Sequence, residues 1–210
     1  MHNDGDHAYR IKRKLVEAFE KVVGLRSVPL RHDGRVDHKW HQDFILHMAS
    51  VVRPERYLEV GIFRCGLFNQ MIPFAGKLTG VDIAEEAGAS MNRTSKTRFI
   101  CSKSVDCALE LKAKGETFDM IFIDADHSEQ AVDADFSHYF ELLTPHGIMM
   151  LHDTHPIDTA ATSQERCGDG YLAIDRLSRQ TDAFEMMTIP VHPGLTICRR
   201  RTTQLSWQEA

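Results

Sequence analysis

The spacing of apolar positions changes character near residue 56. Upstream it is helical. Ile11, Leu15, Ala18, Phe19, Val22 and Val23 fall on one face of a predicted helix over 11–23, which Gly24 stops. A second helix is predicted over 37–52, with Trp40, Phe44, Met48 and Val51 on its apolar face, Asp37 as its cap and Pro54 as its end. The stretch LRSVPLRHDGR between them reads as loop. Downstream, short continuous apolar runs alternate with helical stretches. Strands are predicted over 56–61, 77–83, 97–102, 118–124 and 147–153, with helices over 64–72, 85–93, 105–115 and 128–143 between them. A long polar loop over 154–170 leads to a helix over 170–180, and strands over 184–190 and 195–201 follow, joined by VHPG. Strands separated by helices make a parallel sheet covered on both faces. The last two have no helix between them, so the final strand runs antiparallel. The fold class is α/β, a doubly wound, Rossmann-like sheet. Residues 1–55 form a helical appendage and residues 56–210 one compact domain.

Composition narrows the function. The hydrophobic content of 42% and charged content of 26% are those of a soluble globular protein. A net charge of −5 and the lack of a long basic run argue against nucleic acid as a partner. The RRR at 199–201 is short and reads as a solvated end. The five cysteines are odd in number and contain no C-x-x-C pair, so neither a disulfide framework nor a structural zinc site is expected, and the thiols read as reduced. The opening MHNDGDHAYR is polar, unlike a signal peptide, and no apolar run reaches the ~20 residues that span a membrane. The expectation is a cytoplasmic protein with no membrane partner. The apolar faces of the N-terminal helices offer a way for copies to pair as a homo-oligomer.

In open parallel sheets, ligands bind beyond the carboxyl ends of the strands, where the strand order reverses. The first strand runs into EVGIFRCG. Gly61 has no Cβ there, so a ligand can approach the backbone, and the helix opening near Arg64 offers free N–H groups. The second strand ends in GVDI, placing Asp82 about 20 residues beyond Gly61, the distance of an acid that grips ribose hydroxyls. GIFRCG does not match the G-x-G-x-x-G of nicotinamide dehydrogenases.

The fourth and fifth strands end differently. FDMIFIDADHSEQ supplies Asp124, Asp126 and His127; GIMMLHDTH supplies His152, Asp153 and His155. If these strands are neighbours, Asp124 and Asp153 lie about 4.8 Å apart and can share a divalent cation with His152. Oxygen ligands suit Mg²⁺, Mn²⁺ or Ca²⁺; the imidazole shifts preference toward Mn²⁺, Fe²⁺ or Zn²⁺. His127, with an ordinary pKa near ~6.5, is placed to accept a hydroxyl proton. Asp126 reads as a cap of the next helix, His155 as a loop residue without a role, His41 and His47 as structural or solvated, and Cys65 as a small packing residue. The loop over 154–170, with Arg166, reads either as a wall over an acceptor or as a disordered surface loop.

YLEVGIFRCGLF, GVDI, FDMIFIDADHS and LLTPHGIMMLHDT, in that order, resemble class I S-adenosylmethionine (SAM) methyltransferases, most closely small-molecule O-methyltransferases of the macrolide-sugar and caffeoyl-CoA/catechol type. The resemblance covers about residues 56–200. It implies a seven-stranded sheet of order 3-2-1-4-5-7-6. It also implies SAM as cofactor, held by Glu59, Gly61, Phe63, Asp82, Ile83, Ser102, Ser104 and Asp124. Asp124, His152 and Asp153 would hold Mg²⁺ or Mn²⁺, and His127 would be the general base. The chain departs from its relatives at three places: Cys65 stands for a glycine, Lys103 for an acid near the adenine, and His152 for an Asp or Glu. The expected activity is O-methylation of a sugar, polyketide or other natural-product intermediate. A catalytically inactive SAM-binding partner subunit, and an N-methyltransferase or hydroxylase-like relative on the same fold, are the alternatives.

Overall fold

The computed structural model describes residues 39–180 and 182–201. The predicted helix over 11–23 and the cap at Asp37 lie outside them. In chain order the described elements are α1 (Trp40–Val52), β1 (Arg56–Val60), α2 (Gly66–Met71), β2 (Lys77–Asp82), a 3₁₀ turn (Glu85–Ser90), β3 (Thr97–Cys101), α3 (Ser104–Ala113), β4 (Phe118–Ile123), α4 (Glu129–Phe140), β5 (Leu143–His152), a second 3₁₀ turn (Thr159–Thr162), α5 (Tyr171–Leu177), β6 (Phe184–Ile189) and β7 (Leu195–Arg200). The short helix expected over 85–93 is the first 3₁₀ turn, and β5 begins earlier than expected, at Leu143.

The seven strands lie in the order β3-β2-β1-β4-β5-β7-β6. All pairings are parallel except those of β7, which is antiparallel to both β5 and β6. The order therefore reverses between β1 and β4. β1 and β4 are buried almost end to end, as strands covered on both faces must be. Alternation along them separates two cores. Leu58, Val60, Ile121, Ile123, Met149 and Leu151 face α3, α4 and α5. Tyr57, Met120, Phe122 and Met150 face the other way, against α1 and α2.

α1 is part of this second core. Trp40, Ile45 and Ala49 pack with Tyr57, Phe68 and Phe122, and the Trp40 indole N–H donates to the His192 carbonyl in the β6–β7 turn at 3.0 Å. The helix ends at Arg53, in the left-handed conformation, just before Pro54. Its buried stripe differs from the predicted one. His41, Ile45 and Ala49 join Trp40 inside, while Val51 is 71% exposed. The helix is apolar over more than half its girth, so periodicity alone did not fix which side turns inward. The basic 199–201 cluster is also tied down. Arg199 and Arg201 meet Glu185, and Arg200 donates to the carbonyls of Phe140, the last residue of α4, and Leu143, the first of β5.

Candidate functional site

The carboxyl edge of β1 is closed by main chain. Gly61 has φ of +85°, and a Cβ there would lie 2.1 Å from the Asp124 carbonyl oxygen. Only glycine fits on both counts. The room left by its missing side chain is therefore filled by the end of β4. Hydrogen bonds from Asp124 N–H to Val60 O and from Gly61 N–H to Val81 O, each 2.8 Å, join the ends of β4, β1 and β2. Beyond this turn, Phe63 and Cys65 also hold positive φ, 47° and 55°. Asp82 draws the next turns together. Its two carboxylate oxygens accept the N–H groups of Phe63 and Ala84, both at 2.9 Å. Each oxygen keeps a lone pair for another donor. Phe63 and Ile83, 72% and 71% exposed, are large apolar side chains at these adjacent ends. Ser102 N–H donates to the Asp82 carbonyl at 3.0 Å, which keeps the β3 end alongside. Ser104 is not brought into this group, because its hydroxyl donates to Asp135 on α4 at 2.6 Å.

Glu59 lies beneath the same turn. It is 3% exposed and accepts the Tyr57 hydroxyl at 2.6 Å. Burial raises its pKa to about 8 despite that bond, so at neutral pH the carboxyl is largely protonated until a cationic partner arrives. Cys65 is fully buried, and its thiol donates to the Ala87 carbonyl. Burial pushes that thiol up, which suits the packing role read from the sequence and not a nucleophile.

The β4 and β5 ends carry the chemistry. Ile123 pairs with Leu151, so one step further Asp124 stands level with His152, not with Asp153. Period-2 alternation carries the α1-side face on through Phe122 to Asp124 and through Met150 to His152. Asp153 would then point to the opposite face, but its φ of +58° breaks the alternation and turns it back. A non-glycine residue in this region costs about 1–2 kcal/mol. The result is a closed ring of alternating charge. His152 Nδ1 lies 3.0 Å from Asp124 Oδ1 and 3.2 Å from Asp153 Oδ2. His127 Nε2 lies 3.1 Å from Asp153 Oδ2 and 3.5 Å from Asp124 Oδ1.

Burial lowers the pKa of both imidazoles, but the two carboxylates outweigh it. They raise His127 to about 9 and His152 to about 10. The expectation of an ordinary imidazole pKa at His127 is thereby corrected: in this arrangement the ring is a cation at neutral pH. Burial likewise opposes ionisation of Asp124, and His152, His127 and His41 together hold its carboxyl far below the usual range. Two imidazolium ions thus neutralise two carboxylates.

His127 is oriented from behind. Its Nδ1–H donates to the Arg166 carbonyl at 2.7 Å, which leaves Nε2 for the carboxylates. The loop over 163–170 is bound to this turn at more points. Gly170 N–H donates to the His127 carbonyl at 2.8 Å, and Glu129 N–H donates to Asp169 Oδ1 at 2.8 Å. A Cβ on Gly168, whose φ is +61°, would lie 2.3 Å from the His127 carbonyl oxygen. This half of the loop is an ordered wall, and it is the Arg166 main chain that touches the site. Asp126 accepts the Ser128 N–H at 2.8 Å, and Ser128 itself is the N-cap of α4. Asp126 thus shapes the turn and is not the cap that the sequence suggested. His155 is exposed and contributes its backbone N–H to Pro193 O.

His41, expected to be structural or solvated, stands against the site. It is 4% exposed, and its ring centroid lies 3.8 Å from that of His152, tilted by 44°, with Phe122 beyond. The signal was present as the stripe His41–Ile45–Ala49, but Trp40–Phe44–Met48 was the more apolar alternative. Two groups of ligand atoms, each within 4.8 Å of one another, overlap at Asp124: Asp124, His127 and Asp153; and His41, Asp124 and His152. The expected set of Asp124, His152 and Asp153 straddles the two. His152 Nε2 is buried with no hydrogen-bond partner among the described residues, an arrangement that costs about 1–3 kcal/mol unless something binds there. Carboxylates, imidazoles and an unsatisfied buried nitrogen fit a divalent cation.

Several solved structures are similar to this fold. An O-methyltransferase from Bacillus cereus, in complex with S-adenosylhomocysteine (SAH), is 14% identical, with 90% of each chain covered and a TM-score of 0.63. The SAH-bound methyltransferase PaMTH1 from Podospora anserina is 15% identical, covering 96% of this chain and 98% of its own, also at 0.63. MycE from the mycinamycin pathway, in complex with Mg, SAH and mycinamycin VI, is 14% identical, covering 80% of this chain and 51% of its own, at 0.60. At these identities the likeness is one of fold. No curated protein matches the chain in sequence. A family model described as a methyltransferase domain matches residues 44–154, more than half of the chain and the stretch that runs from α1 to the turn after Asp153. The chain belongs to that methyltransferase-domain family, on the class I fold.

Proposed function

We propose that the protein is a SAM-dependent O-methyltransferase acting on a hydroxyl of a small molecule, such as a sugar, a polyketide or another natural-product intermediate, with help from a divalent cation. The observation that carries this reading is the contact of the two halves of the site. Gly61, which turns β1 toward the cofactor edge, lies against the main chain of Asp124, whose side chain belongs to the charge ring. A cofactor seated over Glu59, Gly61, Asp82 and Ile83 would have its reacting end next to His127.

SAM, when bound, supplies a sulfonium methyl. The acceptor oxygen would attack that methyl carbon in line, the O–CH₃ bond forming as the S–CH₃ bond breaks and SAH departs. The chain's main contribution is to hold both partners in register. His127 takes the hydroxyl proton on Nε2 once that nitrogen is unprotonated, while the Arg166 carbonyl fixes the tautomer. Asp124 and His152, with Asp153 beside them, would hold the cation, which would lower the pKa of a bound hydroxyl. Neutral Glu59 regains its charge when a cationic group comes within reach. The similar structures named above, one an O-methyltransferase and one with Mg, are in keeping with this reading.

The test is direct. SAM or SAH should bind the purified chain in the micromolar range, on the order of 8 kcal/mol by calorimetry. Incubation with SAM, a divalent ion and a panel of hydroxylated small molecules should give methylated products by mass spectrometry. Binding without turnover on any acceptor would favour a binding-only subunit, and no binding would overturn the reading.

A further inference from the structure

We propose that His41 is a metal ligand, supplied by α1 and acting with Asp124 and His152, and that this donor set selects a borderline transition ion of the Mn²⁺, Fe²⁺ or Zn²⁺ class over Mg²⁺. The proposal deepens the metal-assisted reading of the same site and rests on it.

Three observations converge. The first is placement. A histidine with no role in the site would be expected on the outer face of α1, where His47 is found, but His41 faces inward and is 4% exposed. That position is enforced by packing. Trp40, Ile45 and Ala49 seat the helix in the core, and the Trp40 indole anchors its first turn to the β6–β7 turn. A ligand carried on such an element is presented without a loop having to be ordered. The second is proximity. The His41 and His152 rings are 3.8 Å apart between centroids, and one ligand atom from each of His41, Asp124 and His152 lies within 4.8 Å of the others. Bonds of about 2.1 Å draw ligand atoms to within about 4.2 Å of each other. Side-chain torsions must close any pair of these atoms that is wider than this. The third is an open position. The His152 side chain is nine-tenths buried, and its Nε2 has no hydrogen-bond partner among the described residues.

The donor chemistry sets the choice of ion. Mg²⁺ takes oxygen ligands and gives up water reluctantly. Two imidazole nitrogens and one carboxylate are the donors of transition-metal sites, and three protein ligands leave positions open for a substrate oxygen. Asp153 would then stay paired with His127 Nε2 beside the metal.

The experiment uses the full chain, stripped with chelator. Calorimetry with Zn²⁺, Mn²⁺ and Mg²⁺, and pulsed EPR of the Cu²⁺-loaded protein, are run on wild type and on His41→Phe, which keeps a ring on Phe122 and His152 but removes the nitrogens. Two coordinated imidazoles are expected in wild type and one in His41→Phe. Zn²⁺ and Mn²⁺ affinity should drop at least tenfold in the variant, with Mg²⁺ affinity and SAH affinity unchanged. If the variant does not fold, the wild-type imidazole count decides alone: fewer than two overturns the proposal. Equal Zn²⁺ affinity in the two proteins also overturns it. SAH binding and methyl transfer that persist with no dependence of metal affinity on His41 sink the ligand assignment and leave the methyltransferase reading standing. His41-dependent metal binding without any SAH binding does the reverse.

Discussion

Asp82 and Asp124 close strands at the same edge of one sheet, yet they are held by different groups. Asp82 accepts two main-chain N–H groups, from Phe63 and Ala84. Asp124 is surrounded by imidazoles from a turn, a strand and a helix, and shares His152 and His127 with Asp153. Amide donors do not titrate, so the main-chain bonds that frame the cofactor edge do not depend on pH through their donors. Imidazolium donors do titrate, and they can be exchanged for a metal ion. The cofactor edge is thus preformed, while the acceptor edge can change its protonation and its counter-ion. Such an edge suits a site that must accept a proton.

The comparison can be broken most severely at His127. Its replacement by alanine should lower turnover by about 10²–10⁴-fold, the usual worth of a general base. SAH affinity should change little, because the ring is bonded to the Arg166 carbonyl, Asp153 and Asp124 and not to Glu59, Gly61, Asp82 or Ile83. A rate within threefold of wild type would move the activating role to the metal or to positioning. The pH profile sharpens the same point. Two carboxylates raise His127 to about 9, so with chelator present the activity should climb as pH passes through about 9. A metal-free profile that is already flat above pH 7 would contradict the charge ring.

Next in size is Gly61→Ala, which strikes the seam between the two edges. The positive φ and the 2.1 Å approach to the Asp124 carbonyl oppose any side chain. A loss of about 2–4 kcal/mol is expected, or roughly 5–12 °C in Tm by thermal melting. An unchanged Tm would mean that the seam is looser than the structure shows.

Asp82→Ala tests the preformed edge. It removes acceptors for two amides as well as, on the proposed reading, for ribose hydroxyls. SAH binding should weaken by about 1.5–3 kcal/mol, the scale of charge-assisted hydrogen bonds, and calorimetry measures it directly. Equal affinity in the variant would place the cofactor elsewhere.

The smallest effect is expected at Glu59. Its folded pKa of about 8 lies above the ordinary value of 4.5, so the folded state holds the proton more tightly between those limits. Stability from this group is therefore greatest below pH 4.5, declines as pH rises toward 8 and is flat above. Glu59→Gln should remove that decline and raise cofactor-free stability at pH 7 by about 1–2 kcal/mol, once a weaker bond from Tyr57 is set against it. It should also weaken SAM binding. A variant that is less stable at pH 7 and pH 8 would show that Glu59 is charged in the free protein.

Much of the cofactor edge was legible because its parts are adjacent in the chain. Gly61 and Asp82 each end a strand that its own apolar run announces, and the two amides that donate to Asp82 come from the residues two positions beyond each, Phe63 and Ala84. The acceptor edge was legible only in part. The apolar runs that stop at Asp124 and at His152–Asp153 announced acids and imidazoles at two strand ends. They did not show that Asp124 stands level with His152, because register depends on pairing between strands. The backbone turn that brings Asp153 back was equally hidden, since aspartate at positive φ leaves no mark in composition.

The sequence by itself determined the α/β alternation, the antiparallel last strand, the position of each strand end and the residue types that gather there. Periods of 2 and 3.6 are local properties, and any window of the chain carries them. Tertiary structure alone decided that α1 belongs to the core, that its His41 stripe turns inward, and that four titrating side chains close a ring. Each of these compares alternatives of nearly equal local merit, such as two apolar faces of one helix or two faces of one strand. The choice is made by what lies across the gap: Tyr57, Phe122 and the β6–β7 turn for the helix, and Asp124 for His152.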